Sequence, residues 1–168
     1  LHLCDRRQRQ MCIRDRDNID VDLSNYIVVY AYSGRINKIE AEAIQAFAHS
    51  KGKKTLSIGV KQSFTDLYVN VDPFTLLAYI KNADYVITDT FHGTVFSIKY
   101  QTPFATLIRP SNIEKLSDLL EKFDLSSRTV NDVSNIKDVC TEEIDKLNIL
   151  KLLKTYRESA ITYLKDNL

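Results

Sequence analysis

The chain has no tryptophan, one methionine, three prolines, three cysteines and only four glycines in its 168 residues. Four glycines leave no room for a dinucleotide cradle: neither a G-x-G-x-x-G nor a G-x-x-x-x-G-K-[ST] string occurs, which disfavours nicotinamide, flavin and P-loop chemistry. Charge of one sign is lacking too. Lys and Arg number 23 against 22 Asp and Glu, so no bulk field exists to hold nucleic acid or an anionic membrane. Apolar runs are short. The longest, YIVVYAY from Tyr26 to Tyr32, is of strand length and far below the ~20 residues of a spanning helix. A soluble, cytoplasmic chain is expected, at most peripheral to the inner face of the membrane.

The first sixteen residues, LHLCDRRQRQMCIRDR, carry five of the arginines and have no apolar period and no hydrophobic region of signal-peptide type. The string from Met11 to Arg16 resembles translated adapter sequence. Residues 1–16 are therefore expected to be a non-native or disordered head, and 17–168 one domain. Without the head, 18 basic and 20 acidic residues remain, a net charge of −2. Cys4 and Cys12 fall in the head. Cys140 alone makes neither a disulfide framework nor a metal site, which suits a reducing compartment, and it is expected to pack at a helix start.

Along the remainder, strand and helix patterns alternate. Tyr26–Ala31 is a continuous β-branched and aromatic run that Ser33-Gly34-Arg35 breaks. Ile36, Ile39, Ala43, Ile44 and Phe47 repeat at helical spacing up to Gly52. Thr55–Val60 reads as a second strand, and Phe64–Asn70 as a loop or short strand. Asp72-Pro73 opens a helix to about Asn82. Tyr85–Thr88 is a strand, Phe91–Tyr100 a helix, Phe104–Ile108 a strand, and Ile113 to Phe123 an amphipathic helix. Ser126–Cys140 is polar and unassigned; a last helix is expected from Thr141. This order predicts an α/β fold, a Rossmann-like parallel sheet flanked by helices.

Such a sheet brings the loops after its strands to one edge, where anions bind at helix N-termini. Those loops carry Arg35, Lys61, His92 and Arg109. The segment from Asp84 to Phe104, DYVITDTFHGTVFSIKYQTPF, places Asp89, Thr90, His92 and Gly93 between a strand end and a helix start. Asp89 or Thr90 is expected to cap that helix. Gly93 leaves backbone room beside it, and His92 is the acid/base candidate. Arg35 and Arg109, as isolated loop charges, read as solvated.

The same segment resembles the signature of the polysaccharide pyruvyl transferases: an apolar strand, then Asp, a polar residue or Arg, Phe or Leu, and His-Gly. VDPFTLLAYIKNADYVITDTFHG is similar to the family's helix leading into an Ala-Asp strand. EKLSDLLEKFDLSSR resembles its downstream helix and Leu-x-x-Arg turn, and Tyr156-Arg157-Glu158-Ser159 with Tyr163-Leu164 its terminal helix. Thr90 stands where many members carry Arg, and Lys115 where Arg is usual.

The resemblance implies the carboxyl-terminal lobe of a fold like the GT-B glycosyltransferases, its amino-terminal lobe lying outside this sequence and this lobe alone inactive. It implies transfer of the pyruvyl group of phosphoenolpyruvate to two hydroxyls of a sugar in a cell-surface polysaccharide, forming a ketal. No cofactor or metal is implied beyond that donor, and the partners are a small anionic donor and a sugar or glycan acceptor, with no nucleic acid. His92 would be catalytic; Asp89, Thr90, Gly93, Arg109 and Arg35 would bind substrate. Two other readings stand beside it: a sugar-nucleotide glycosyltransferase lobe, for which Glu114 is the nearby acidic candidate, and a degenerate, non-catalytic binding domain.

Overall fold

The computed structural model describes residues 21–167, so the head expected at residues 1–16 lies outside the described residues. The described residues build one parallel sheet from β1 (Tyr26–Tyr30), β2 (Lys54–Ile58), β3 (Leu67–Val69), β4 (Tyr85–Thr88) and β5 (Phe104–Thr106), in the order β3-β2-β1-β4-β5. Val28 at its centre is in register with Leu56 on one side and Val86 on the other. The helices are α1 (Lys38–Ser50), α2 (Pro73–Asn82), α3 (Phe91–Tyr100), α4 (Ile113–Lys122), α5 (Ile136–Thr141) and α6 (Lys146–Asn167).

Successive side chains of a strand point to opposite faces, and here each face has its own core. Tyr26, Val28, Leu56, Ile58, Val86 and Phe104 pack with Ile80 of α2, Ile98 of α3, Leu120 of α4 and Ile149 of α6. Ile27, Val29, Ile87 and Ala105 pack with Ile44, Phe47 and Ala48 of α1 and with Ile136 and Cys140 of α5. Burial on both faces is why the strands read as unbroken apolar runs. It also makes the sheet doubly wound, as the alternating pattern predicts.

One open reading is settled and two expectations are corrected. The ambiguous stretch from Phe64 contains a true strand, β3, joined to β2 without an intervening helix. Hydroxyl and amide contacts hold this short link: Ser57 Oγ meets Thr65 Oγ1 at 2.8 Å and accepts from the Gln62 N–H at 3.3 Å. Second, Thr141 ends α5 rather than beginning the last helix. Asp145 supplies the start of α6 instead, its carboxylate accepting from the Asn148 N–H at 2.9 Å. Third, Cys140 therefore packs at a helix end, where burial pushes its thiol up to about 12.

Strand order reverses between β1 and β4: the chain runs outward from β1 through β2 to β3, then returns to place β4 on the other side of β1. The carboxyl ends of β1 and β4 consequently diverge into loops on opposite faces, and ligands of open α/β sheets bind at such a switch point.

Candidate functional site at the switch point

Asp89 follows β4 directly and is fully buried. Its Oδ1 accepts from the backbone N–H of Tyr32, in the loop after β1, at 3.2 Å. Its Oδ2 has no hydrogen-bond donor among the described residues, although two guanidiniums approach it: Arg35 Nη1 and Arg109 Nε, each at 3.8 Å. Desolvation by burial raises the Asp89 pKa above the ordinary carboxylate value, against the opposing pull of the Tyr32 N–H, Arg109 and Arg35.

The two arginines are held differently. Arg109, in the loop after β5, grips Glu40 with both terminal nitrogens: Nη1 to Oε1 at 2.6 Å and Nη2 to Oε2 at 2.9 Å. These bonds, more than any other influence, raise its pKa and keep it charged. Glu40 is buried and is itself fixed at the third position of α1 in a capping box. Its N–H donates to Asn37 Oδ1 at 3.0 Å and its Oε2 accepts from the Asn37 N–H at 2.9 Å. Among the described residues the Arg35 guanidinium approaches Asp89 at 3.8 Å and lies over the Tyr32 ring, 4.8 Å from its centroid, with its side chain 37% exposed.

Thr90 is the N-cap of α3, as expected for that position. Its Oγ1 accepts from the Gly93 N–H at 2.9 Å. Thr88 Oγ1 donates to the Tyr30 carbonyl at 2.6 Å, so in the 3.0 Å contact between the two threonine hydroxyls Thr90 is the donor. The Thr90 hydroxyl is thus committed inward on both counts. Gly93 is buried against β4, and a Cβ there would lie 2.3 Å from Thr88 Oγ1 and 2.9 Å from Thr88 Cβ. Glycine is required at this point because the helix start rests on the strand end with no space between them. Among the described residues the amides of Phe91 and His92 have no hydrogen-bond acceptor, leaving the first turn of α3 open to an anion. His92 is exposed on that turn, with Phe91 and Phe96 on either side at ring-centroid distances of 6.1 Å.

The structure therefore brings Asp89, Arg35 and Arg109 together and makes Thr90 and Gly93 the framework beneath His92. Arg109 is no solvated loop charge. Lys61 and Glu114 are exposed, Glu114 in the first turn of α4. Three residues of the site were missed. Glu40 is one of them, although Asn37-x-x-Glu40 is a readable capping box. Asn112 donates to the Asp89 carbonyl at 2.7 Å and accepts from the Arg109 N–H at 2.8 Å, tying the two loops together. Gln62, buried, donates to the Ala31 carbonyl at 3.2 Å and so braces the loop that carries Arg35. No sequence signal marks the bonds from Asn112 to Asp89 and from Gln62 to Ala31, because they join distant parts of the chain.

No curated protein and no solved structure matches this chain. The family model for polysaccharide pyruvyl transferase matches residues 5–112. That span carries the whole sheet and every site residue named above from Tyr32 to Asn112. The chain belongs to the polysaccharide pyruvyl transferase family.

Proposed function

We propose that the switch-point edge is the donor half of an active site that moves a pyruvyl group from phosphoenolpyruvate to a sugar of a cell-surface polysaccharide, as a ketal. The observation that carries this reading is the seat of Asp89-Thr90-Phe91-His92-Gly93: the segment caps α3 at the one place where the sheet order reverses, within the span matched by the family.

In this chemistry a proton adds to the methylene carbon of the donor and positive charge develops at C2. The two sugar hydroxyls bond to C2, and the C2–O bond to phosphate breaks. One hydroxyl proton balances the one delivered to carbon, and the other leaves with phosphate. In this reading His92, exposed beside the open amides of Phe91 and His92, holds the phosphate or moves a proton to it. Arg35 supplies a cation free to turn toward the donor. Arg109 contributes positive potential from its fixed place on Glu40. The acceptor would enter across the open edge and be held largely by an amino-terminal lobe, in the cytoplasm where phosphoenolpyruvate is made. No helix among the described residues is long and apolar enough to cross a membrane.

The test is phosphate release from phosphoenolpyruvate against a panel of sugar acceptors, using the full-length protein. His92→Ala is expected to lower turnover at least about a hundredfold, since it removes a group used in the transition state. The denaturant midpoint should stay unchanged, because His92 is exposed. Unchanged turnover would remove His92 from the mechanism. Transfer from a nucleotide sugar in place of phosphoenolpyruvate would replace this reading with the glycosyltransferase one.

A further inference from the structure

Four charges meet at the switch point, and they balance: Asp89 and Glu40 against Arg35 and Arg109. Glu40 and Arg109 neutralise each other through two short bonds and are locked from behind by Asn37. Asp89 is left with two guanidiniums at 3.8 Å, too far for a hydrogen bond, Arg35 Nη1 and Arg109 Nε, and with one oxygen that is buried and bonded to nothing among the described residues. A carboxylate so placed depends on both guanidiniums for its charge compensation, and Arg109 is already shared with Glu40.

An arriving anion finds the same cations. Arg109 cannot turn outward without abandoning a buried carboxylate, whereas Arg35 is part exposed, rests on the exposed Tyr32 ring and gives up no short bond. Resting on the anion-binding reading above, we propose that Asp89 is a placeholder for the donor's phosphate: the incoming anion takes Arg35 from Asp89, and Asp89 takes a proton from solvent in exchange. Binding and proton uptake are then one event. The proton balances the charge lost from the buried oxygen when Arg35 leaves, and nothing else is consumed. Burial works against the charged form of Asp89, in the same direction as proton uptake. The charged groups facing Asp89 are Arg35 from the loop after β1, Arg109 from the loop after β5 and, through Arg109, Glu40 from α1. His92 on α3 is exposed.

Sulfate is the probe, because it stays fully ionised where phosphate would itself titrate. Calorimetry of the full chain with sulfate, from about pH 5 to 8 in buffers of differing ionisation enthalpy, counts the protons taken up. Wild type is expected to take up a fraction of a proton, at most one, and Asp89→Asn correspondingly less. Proton uptake by any other group would persist in both proteins, so the difference belongs to Asp89. Asparagine can still accept from the Tyr32 N–H, and at pH 8 the variant should bind sulfate about tenfold more tightly than wild type. Arg35→Ala, at a part-exposed position, guards against misfolding of the first variant: it should weaken sulfate binding and abolish the Asp89 share of uptake. Equal proton uptake by wild type and Asp89→Asn, or unaltered uptake in Arg35→Ala, would overturn the placeholder while leaving the anion site standing. Absence of any sulfate binding would overturn both.

Discussion

Two arginines in this domain, one half-buried and one fully buried, solve the problem of a charge held away from water in opposite ways. Arg109 sits at the carboxyl edge of the sheet among other charges, paired with Glu40 and in the field of Asp89. Arg128, in the turn after α4, is fully buried and surrounded by neutral acceptors: Nη1 donates to the Val139 carbonyl at 2.6 Å, and Nη2 to those of Glu142 and Glu143 at 2.8 and 2.9 Å. It thereby closes the end of α5, where carbonyls are left without intrahelical partners and favour a cation. Burial pulls its pKa down, countered by Glu142 and Cys140. The difference teaches where adaptability lies. Carbonyls fixed in a backbone turn cannot exchange partners, so Arg128 is a structural pin. A cluster of two carboxylates and two guanidiniums has alternative pairings, and a ligand can select among them.

The comparison is broken most severely at the pin. Arg128→Met should cost about 3 kcal/mol of stability, from carbonyls left without donors around an imperfect fill of the space. Denaturant unfolding measures it, and sulfate affinity of the folded protein should not move. A loss of affinity in the folded variant would mean that the two regions are coupled. Next comes Glu40→Gln, which leaves Arg109 without its counter-charge and should cost about 2 kcal/mol while freeing Arg109 for ligand. Tighter sulfate binding with a lowered unfolding midpoint is the expected pair of results; unchanged affinity would show that Arg109 stays put without Glu40.

The smallest effect is a pH dependence. The folded pKa of Asp89 is raised above its unfolded value of ~3.9, so in the window above that value the folded state binds more protons than the unfolded one. Asp89 therefore adds a stability term that falls as pH rises from the unfolded to the folded pKa. Relative to Asp89→Asn, wild type should be most stable at the acid end and lose ground through that window, then level off. Paired unfolding curves across the pH range measure the difference; a wild type that gains ground with rising pH would show Arg35 and Arg109 to outweigh burial.

Most of the fold was legible because its strands are buried on both faces and its helices carry ordinary stop and start signals. What misled was competition between such signals. Thr141-Glu142-Glu143 reads as a helix opening, yet Asp145 caps α6 and the turn before it is held by Arg128, whose reach no local pattern reveals. In α1 the apolar repeat suggests Ile39 inside, but Ile39 is 69% exposed and the buried stripe is Glu40, Ile44, Phe47 and Ala48. Pairing with Arg109 made a glutamate an interior residue. The signature itself pointed to the site, since Thr90 and Gly93 act locally. The ionic half was hidden because each of its members acts across the sheet.

That separation in sequence sets when the site can exist. The bond between Tyr32 and Asp89 spans 57 residues and that between Glu40 and Arg109 spans 69, so each closes a long loop whose entropy must be met by sheet pairing already in place. During refolding, burial of Tyr26 and its neighbours should therefore precede the ionic cluster, and capacity for anions should return last. A chain that has recovered its helices and sheet has not yet recovered its chemistry.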